Sequence, residues 1–269
     1  MSIPKIIHYC WFGRNPIPER DQKCIASWRK YCPDYQIIQW NEDNYDVSQI
    51  PYMKEAYDSQ RWGFVPDYAR MDIVYRYGGI YLDTDVELIR SLDELLDLKG
   101  FAGIEKETNY LALGLGFGAA KGHPFLKELC DIYKTMRFID SEGHPILKTN
   151  PQIVSEHITM HYPKALSGQK NEVSDSFVIF PTEYFCPQSF ETGITNLTVN
   201  TFSIHHYHAS WKTEEELKNM DEYRKTTQIF GKKLGEIVFG IYSCIKAEGL
   251  GCYLWNRIRK YIRKIIETN

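Results

Sequence analysis

No stretch of this chain is apolar for long enough to cross a membrane; its longest apolar run falls far short of the ~20 residues that a spanning helix needs. Charge of one sign is lacking too. With 32 Lys and Arg against 35 Asp and Glu, the net charge is −3, so no strongly basic face is implied and a nucleic-acid partner is not expected. The seven cysteines are an odd number without C-x-x-C or zinc-like spacing, which reads as free thiols in a reducing compartment. A signal-peptide pattern is missing, because Ile3-Pro4-Lys5 leads directly into a strand-like run, and the expected location is the cytoplasm. What remains is 269 residues, 43% hydrophobic and 14% aromatic, sufficient for a sizeable core in one large domain or a domain with an appendage.

The chain is organised around Arg76-Tyr77-Gly78-Gly79-Ile80-Tyr81-Leu82-Asp83-Thr84-Asp85-Val86-Glu87. Gly-Gly ends the preceding helix, and the apolar run Ile80-Tyr81-Leu82 reads as a strand that delivers two carboxylates. Side chains i and i+2 of a strand share one side, so Asp83 and Asp85 are expected to face a common point while Thr84 turns away. Two converging carboxylates repel unless a cation lies between them, and hard oxygen ligands suit Mg²⁺ or Mn²⁺. Solvated Asp residues at a strand end are the bland alternative. Upstream, Pro66 to Tyr77 has a proline start, a Gly-Gly stop and apolar residues all round its middle, the pattern of a buried helix. Asp67 and Arg70 fall on one face of it, as a local salt bridge or as a grip on polar hydroxyls, since burying a charge pair is costly unless it is well satisfied.

Taken together, Asp67, Arg70, Tyr77-Gly78-Gly79, Tyr81 and Asp83-Thr84-Asp85 resemble the sugar-binding region with a DXD motif of bacterial capsular and lipopolysaccharide glycosyltransferases and fungal outer-chain mannosyltransferases. The catalytic domains of glucosylating toxins are more distantly similar. The resemblance implies an α/β, GT-A-like fold with a Rossmann-type mixed sheet flanked by helices. It also implies a nucleotide-sugar donor, Mn²⁺ or Mg²⁺, and retention of anomeric configuration. Asp67 and Arg70 would then hold ribose and donor-sugar hydroxyls.

Residues 3–13 form an apolar run ending in glycine, the first parallel strand and its loop. Ligands of such sheets collect beyond the strands' carboxyl ends, which places Trp11 where a core residue or a base platform would stand. The family opens with a similar "IPKIIH…W.G" segment, and by that resemblance Trp11 stacks on the base while Cys10 supplies main-chain contacts. His8 reads as a satisfied strand histidine. A helix over 19–32, a strand over 35–40 and a turn at Asn41 to Asn44 follow. Ser91 to Leu96 reads as a helix with Ser91 as N-cap and Glu94 at the capping-box position.

The small, glycine-rich segment Leu111 to Ala120 has no G-K-[ST] and is not a phosphate loop. Its glycines suit close approach of backbone to a bound sugar. It resembles a family segment ending in "GHP", although an Asn usual there is replaced. Thr149-Asn150-Pro151 and Phe180 to Pro187 resemble pocket-shaping segments of the family.

A second cluster is Ser203-Ile204-His205-His206-Tyr207-His208-Ala209-Ser210-Trp211-Lys212. In a strand, His205 and Tyr207 share one face and His206 and His208 the other, so only part of it can converge on a metal. By the family's "H-H-aromatic…S-W" pattern, His205 is the third metal ligand, ahead of His206 and His208. Ser210 and Trp211 would close over the diphosphate, and Lys212 would neutralise phosphate or stand exposed at a helix start.

The expected division is a catalytic domain over 1–212 and a helical extension over 213–269. Near the end, Leu254, Trp255, Ile258, Tyr261, Ile262, Ile265 and Ile266 oppose Arg257, Arg259, Lys260, Arg263 and Lys264. This suits a helix in an anionic membrane interface or one docked on the catalytic domain. The expected function is transfer of a hexose from a UDP-sugar, glucose or galactose, to a capsular or other surface glycan acceptor, which could be lipid-linked. One rival is a haloacid-dehalogenase-like phosphohydrolase with Asp83 as nucleophile, but its later G-D-x-x-x-D pair is missing. A non-catalytic glycan-binding protein is another.

Overall fold

In a computed structural model, which describes residues 2–209 and 214–249, the N-terminal apolar run forms strand β1 (Ile6–Cys10). It is followed by α1 (Glu19–Tyr31), β2 (Gln36–Trp40), α2 (Pro51–Asp58), α3 (Pro66–Tyr77), β3 (Gly79–Tyr81) and β4 (Val86–Leu88). Then come β5 (Gly100–Gly103), β6 (Phe117–Ala119), α4 (Pro124–Lys134), α5 (Asn150–His161), β7 (Asn171–Val173), β8 (Phe177–Phe180), α6 (Thr182–Phe185) and β9 (Ser203–His205). Two further helices, α7 (Glu214–Phe230) and α8 (Lys232–Glu248), complete the described chain. Contacts divide it into one unit of Met1–Phe190 with Thr195–Trp211 and a second of Glu191–Ile194 with Lys212–Asn269.

The first unit holds a seven-stranded mixed sheet, ordered β2-β1-β3-β6-β5-β8-β7. Strand β1 pairs in parallel with β2 and β3, and β6 runs antiparallel to β3 and β5. This is the α/β mixed sheet flanked by helices that the sequence led us to expect. Alternation along β1 serves both faces: Ile7 and Tyr9 pack with Ile25 and Trp28 of α1, and Cys10 packs in the cluster that holds Tyr68 and Met71 of α3. Trp28 is wholly buried, and its indole N–H donates to the Val86 carbonyl at 2.7 Å. Ser27 Oγ accepts from the Leu88 amide, so α1 holds β4 as well as covering the sheet. In a separate two-stranded sheet, β4 pairs antiparallel with β9, Val86 opposite His205.

Local expectations hold unevenly. Helix α3 starts at Pro66 and stops at Gly78. Gly78 and Gly79 have φ of 71° and 107°, a region that side chains rarely adopt. A Cβ on Gly79 would also lie 2.8 Å from the Ile6 carbonyl oxygen. Ser91 to Leu96, by contrast, forms only a 3₁₀ turn, Asp93–Leu95. Ser91 Oγ does accept from the Asp93 amide, but Glu94 pairs with Arg90 instead of closing a capping box. The carboxylates of Asp83 and Asp85 lie past the end of β3 in a turn closed by the Val86 amide on the Asp83 carbonyl, not in strand alternation.

In the second unit, α7 and α8 form a hairpin about Gly231, whose φ is 74°. Tyr223 meets Phe239 edge-on at 5.3 Å, and a Cβ on Gly235 would collide with Thr227. The amphipathic stretch from Leu254 to Ile266 lies outside the described residues.

His8 illustrates how closely the first unit is specified. Its Nδ1 accepts from the Trp40 indole N–H at 3.1 Å and its Nε2–H donates to the Gly78 carbonyl at 2.9 Å. The Trp40 donor demands the neutral ring, and burial, which outweighs the Gly78 carbonyl, lowers its pKa to about 4. The folded state therefore binds fewer protons than the unfolded one between about pH 6.5 and about pH 4, and stability falls as pH drops through that window. We expect His8 to account for about 3 kcal/mol of that fall. Urea unfolding of wild type and His8→Gln at pH 7 and pH 4.5 checks this: the variant should lose less stability on acidification.

Candidate active site

The carboxyl ends of β1 and β3 open on a cavity of about 360 Å³, lined among others by Trp11, Trp62, Arg70, Asp85, His205 and Tyr207. Its position follows from the sheet, since parallel strands leave ligand space beyond their C-terminal ends. Asp83, Asp85 and His205 each offer one ligand atom, and these atoms lie within 4.8 Å of one another. The Asp pair reaches this point from the turn after β3. His205 reaches it because β9 pairs with β4.

Each carboxylate has its own supports. Asp85 Oδ1 faces His205 Nε2 at 3.1 Å, and its Oδ2 accepts from the His208 amide at 2.9 Å. Burial pushes Asp85 up, but the imidazole and that amide outweigh it and hold Asp85 well below the usual carboxylate range. Asp83 accepts from the Tyr81 hydroxyl at 2.9 Å and lies 3.6 Å from Arg70. Burial, together with the charge of Asp85, raises Asp83 despite Arg70. His205 is raised, as the two carboxylates overcome the effect of burial. Two carboxylate oxygens and one imidazole nitrogen, converging within 4.8 Å, are a donor set that fits a divalent cation.

The other expected residues are distributed around this centre. Cys10 and Trp11 both line the cavity at the end of β1; the Trp11 indole N–H donates to the Asn15 carbonyl at 2.6 Å, and burial pushes the Cys10 thiol up to about 12. Arg70 lines the cavity too. Asp67 is set behind it, 4% exposed and 3.3 Å from its guanidinium, and burial lifts Asp67 to about 7. His206 is bound to Glu87 at 2.8 Å and His208 to Asp21, so of the three histidines His205 alone joins the acid pair. Ser210, Trp211 and Lys212 lie outside the described residues.

Sequence reasoning missed several contributors. Thr84 lines the cavity instead of turning away from it. Tyr207, in a left-handed backbone conformation at φ 53°, sets its ring 4.2 Å from that of His205 and its hydroxyl 2.9 Å from Cys186 Sγ. Asp21, in the first turn of α1, is 1% exposed and secures His208; an acidic residue in a first helical turn is too common to signal this. Gly114 was expected against a bound sugar. Its carbonyl instead accepts from the Asp83 amide, and a Cβ there would stand 2.2 Å from Asp83 Oδ2.

Arg70 serves the buried Asp67 and the half-buried Asp83 at once, so removing its charge leaves both without their cation. Arg70→Met should lower unfolding free energy by about 3–5 kcal/mol at pH 8, as read by urea denaturation in the presence of a chelator. A loss below about 1 kcal/mol would contradict this account of the site.

Residues 18–102 match the family described as the glycosyltransferase sugar-binding region containing DXD motif. The chain is 36% identical over 132 residues to inositol phosphoceramide mannosyltransferase 3 of Schizosaccharomyces pombe, covering 48% of this chain and 36% of that protein. It is 33% identical over 131 residues to mannosyl phosphorylinositol ceramide synthase CSH1 of Saccharomyces cerevisiae, covering 46% and 33%. The chain thus spans about a third of the length of these relatives. Among solved structures, the PaToxG glycosyltransferase has a TM-score of 0.47 at 17% identity, covering 61% of this chain and 71% of its own. Residues 18–102, with Asp83-Thr84-Asp85 inside them, are thus similar to the glycosyltransferase sugar-binding region containing the DXD motif.

Proposed function

We propose that the protein is a metal-dependent glycosyltransferase that moves a hexose from a nucleoside diphosphate sugar to a glycan acceptor, with retention of configuration. The observation that carries this reading is the convergence of Asp83, Asp85 and His205 on one point of a cavity that Trp11 also lines. Asp83, Asp85 and His205 would hold Mn²⁺ or Mg²⁺, which when bound supplies positive charge for a diphosphate leaving group. Trp11 offers a ring face to the base and Cys10 its main chain. Arg70 donates to donor-sugar hydroxyls from a position that Asp67 fixes. On the family resemblance, Ser210 and Trp211 close over the diphosphate and Lys212 offsets its charge. No protein nucleophile is assigned, consistent with attack on the face the leaving group departs from.

The resemblance favours a UDP-hexose, glucose or galactose, and a surface or capsular polysaccharide acceptor. The relatives' names, which specify mannosyl transfer and inositol phosphoceramide, support a mannosyl donor and a lipid-linked acceptor as the competing pair. A lipid-linked acceptor fits work at the cytoplasmic face of a membrane. The phosphohydrolase reading gains nothing from the site: the third group beside Asp83 and Asp85 is an imidazole, and Asp83 is tied to Tyr81 and Arg70.

Thermal shift and calorimetry with a panel of UDP- and GDP-sugars, with and without Mn²⁺, test the reading on wild type and Asp85→Ala. One donor should stabilise the wild type only when metal is present, and the variant should lose that response. Absence of any donor response, with hydrolysis of a generic phosphomonoester, would reject the transferase. Gly114→Ala is a second test, because it keeps every ligand but displaces the Asp83 carboxylate. It should weaken Mn²⁺ binding at least tenfold while costing about 1–3 kcal/mol of stability, measured by titration calorimetry beside urea unfolding.

A further inference from the structure

Helix α8 packs along α7, with Lys232 at its start paired to Glu191, and carries apolar residues on two sides. At 100° per residue, Gly235, Phe239 and Lys246 fall together, and these meet α7: Gly235 at Thr227, Phe239 at Tyr223, Lys246 at Glu222. A second set, Leu234, Ile237, Val238, Ile241, Tyr242 and Ile245, covers an arc of roughly 140° on the same wheel. Leu234, Ile237, Ile241 and Tyr242 in that arc are 52%, 59%, 37% and 47% exposed. A contiguous apolar stripe of this kind on a soluble hairpin marks an interaction surface.

The charges around it select the occupant. Lys233 stands at the N-terminal end of the stripe, whereas Lys232 is paired with Glu191 and Lys246 with Glu222 of α7. The 20 residues that follow Gly249 carry five Arg and Lys against one Glu. No described helix is long and apolar enough to cross a membrane. A stripe of aliphatic side chains with a tyrosine at its margin, with Lys233 at one end and a basic segment following in sequence at the other, has the chemistry of a helix that lies in a lipid interface. We propose that the outer face of α8 docks into the surface of an anionic lipid bilayer, with its aliphatic side chains among the acyl chains and Lys233 at the headgroups. The proposal names a surface and does not rest on the transferase reading.

Co-sedimentation of the full chain with phosphatidylcholine vesicles, with and without phosphatidylglycerol, tests it. The wild type should bind the anionic vesicles and bind the neutral ones at least tenfold more weakly. Two double variants should each lose at least tenfold in binding to anionic vesicles: Ile237→Glu with Ile241→Glu, and Ile237→Gln with Ile241→Gln. The second removes apolar surface without adding repulsion, and circular dichroism should find the helix content of both unchanged. Wild type that stays in the supernatant overturns the proposal, and so does a glutamine variant that binds as well as wild type, since the basic segment alone would then account for binding. Sedimentation velocity covers the remaining case: a dimer that the variants convert to monomer, without vesicle binding, would assign the face to a second copy of the chain. Donor binding by the same samples is read separately, so failure here leaves that site untouched.

Discussion

Two like charges held close together and half-buried are the constraint from which most of the first unit follows. At roughly 5 Å and an effective dielectric of about 20, two unit charges repel by about 3 kcal/mol, a sizeable part of a domain's net stability. The protein answers with unequal environments. Asp85 receives the His205 imidazole and the His208 amide and is held well below the usual carboxylate range, whereas burial and the charge of Asp85 raise Asp83, whose cation Arg70 lies at a longer distance. Each answer recruits a separate element: α3 brings Arg70, β9 brings His205, and α1 reaches the segment after β9 through Asp21 and His208. A divalent cation bound at this point would balance an arrangement of charge that folding leaves unbalanced.

Bringing these groups together also restricts the backbone. Gly78 and Gly79 let the chain leave α3 and enter the sheet at once, so that Arg70 and Asp83 end up on facing elements only 13 positions apart in sequence. Gly114 lets a neighbouring loop lie directly on Asp83, where any side chain would displace the carboxylate. Tyr207 and Ala209 adopt φ of 53° and 47° without being glycine. Strain of this kind persists where surrounding contacts over-determine it, and here the Tyr207 hydroxyl on Cys186 and the His208 ring on Asp21 supply those contacts.

How much of this the sequence discloses depends on how local the cause is. Helix α3, the Gly-Gly break and the Asp pair are legible because a proline start, a glycine stop and a run of apolar residues act within a dozen positions. The neutral His8 is legible in outline, as a polar residue in a buried strand, but its partners Trp40 and Gly78 are 32 and 70 residues away. Singling out His205 from its neighbours needed the family resemblance, since alternation alone leaves two faces open. The bond between His208 and Asp21 spans 187 residues, and nothing near either one announces it. Residues 91–96 fail for the opposite reason: the helical pattern is present, but Arg90 takes the Glu94 that a capping box requires.

The region that matches the family, residues 18–102, contains Asp67, Arg70, Asp83 and Asp85 but neither Trp11 nor His205. It is therefore a segment of a site and not a module that could act alone. Strand β4, inside the match, has its partner β9 a hundred residues beyond it, and β3 is flanked by β1 before the match and by β6 after it. The paired carboxylates are thus local in sequence, while everything that fixes their geometry is not. The aromatic wall and His205 reach the acid pair only when both ends of the domain close around that segment. The chemistry encoded in a dozen residues is accordingly a property of the whole first unit, and similarity confined to the matched region says more about how the acids are presented than about what is presented to them.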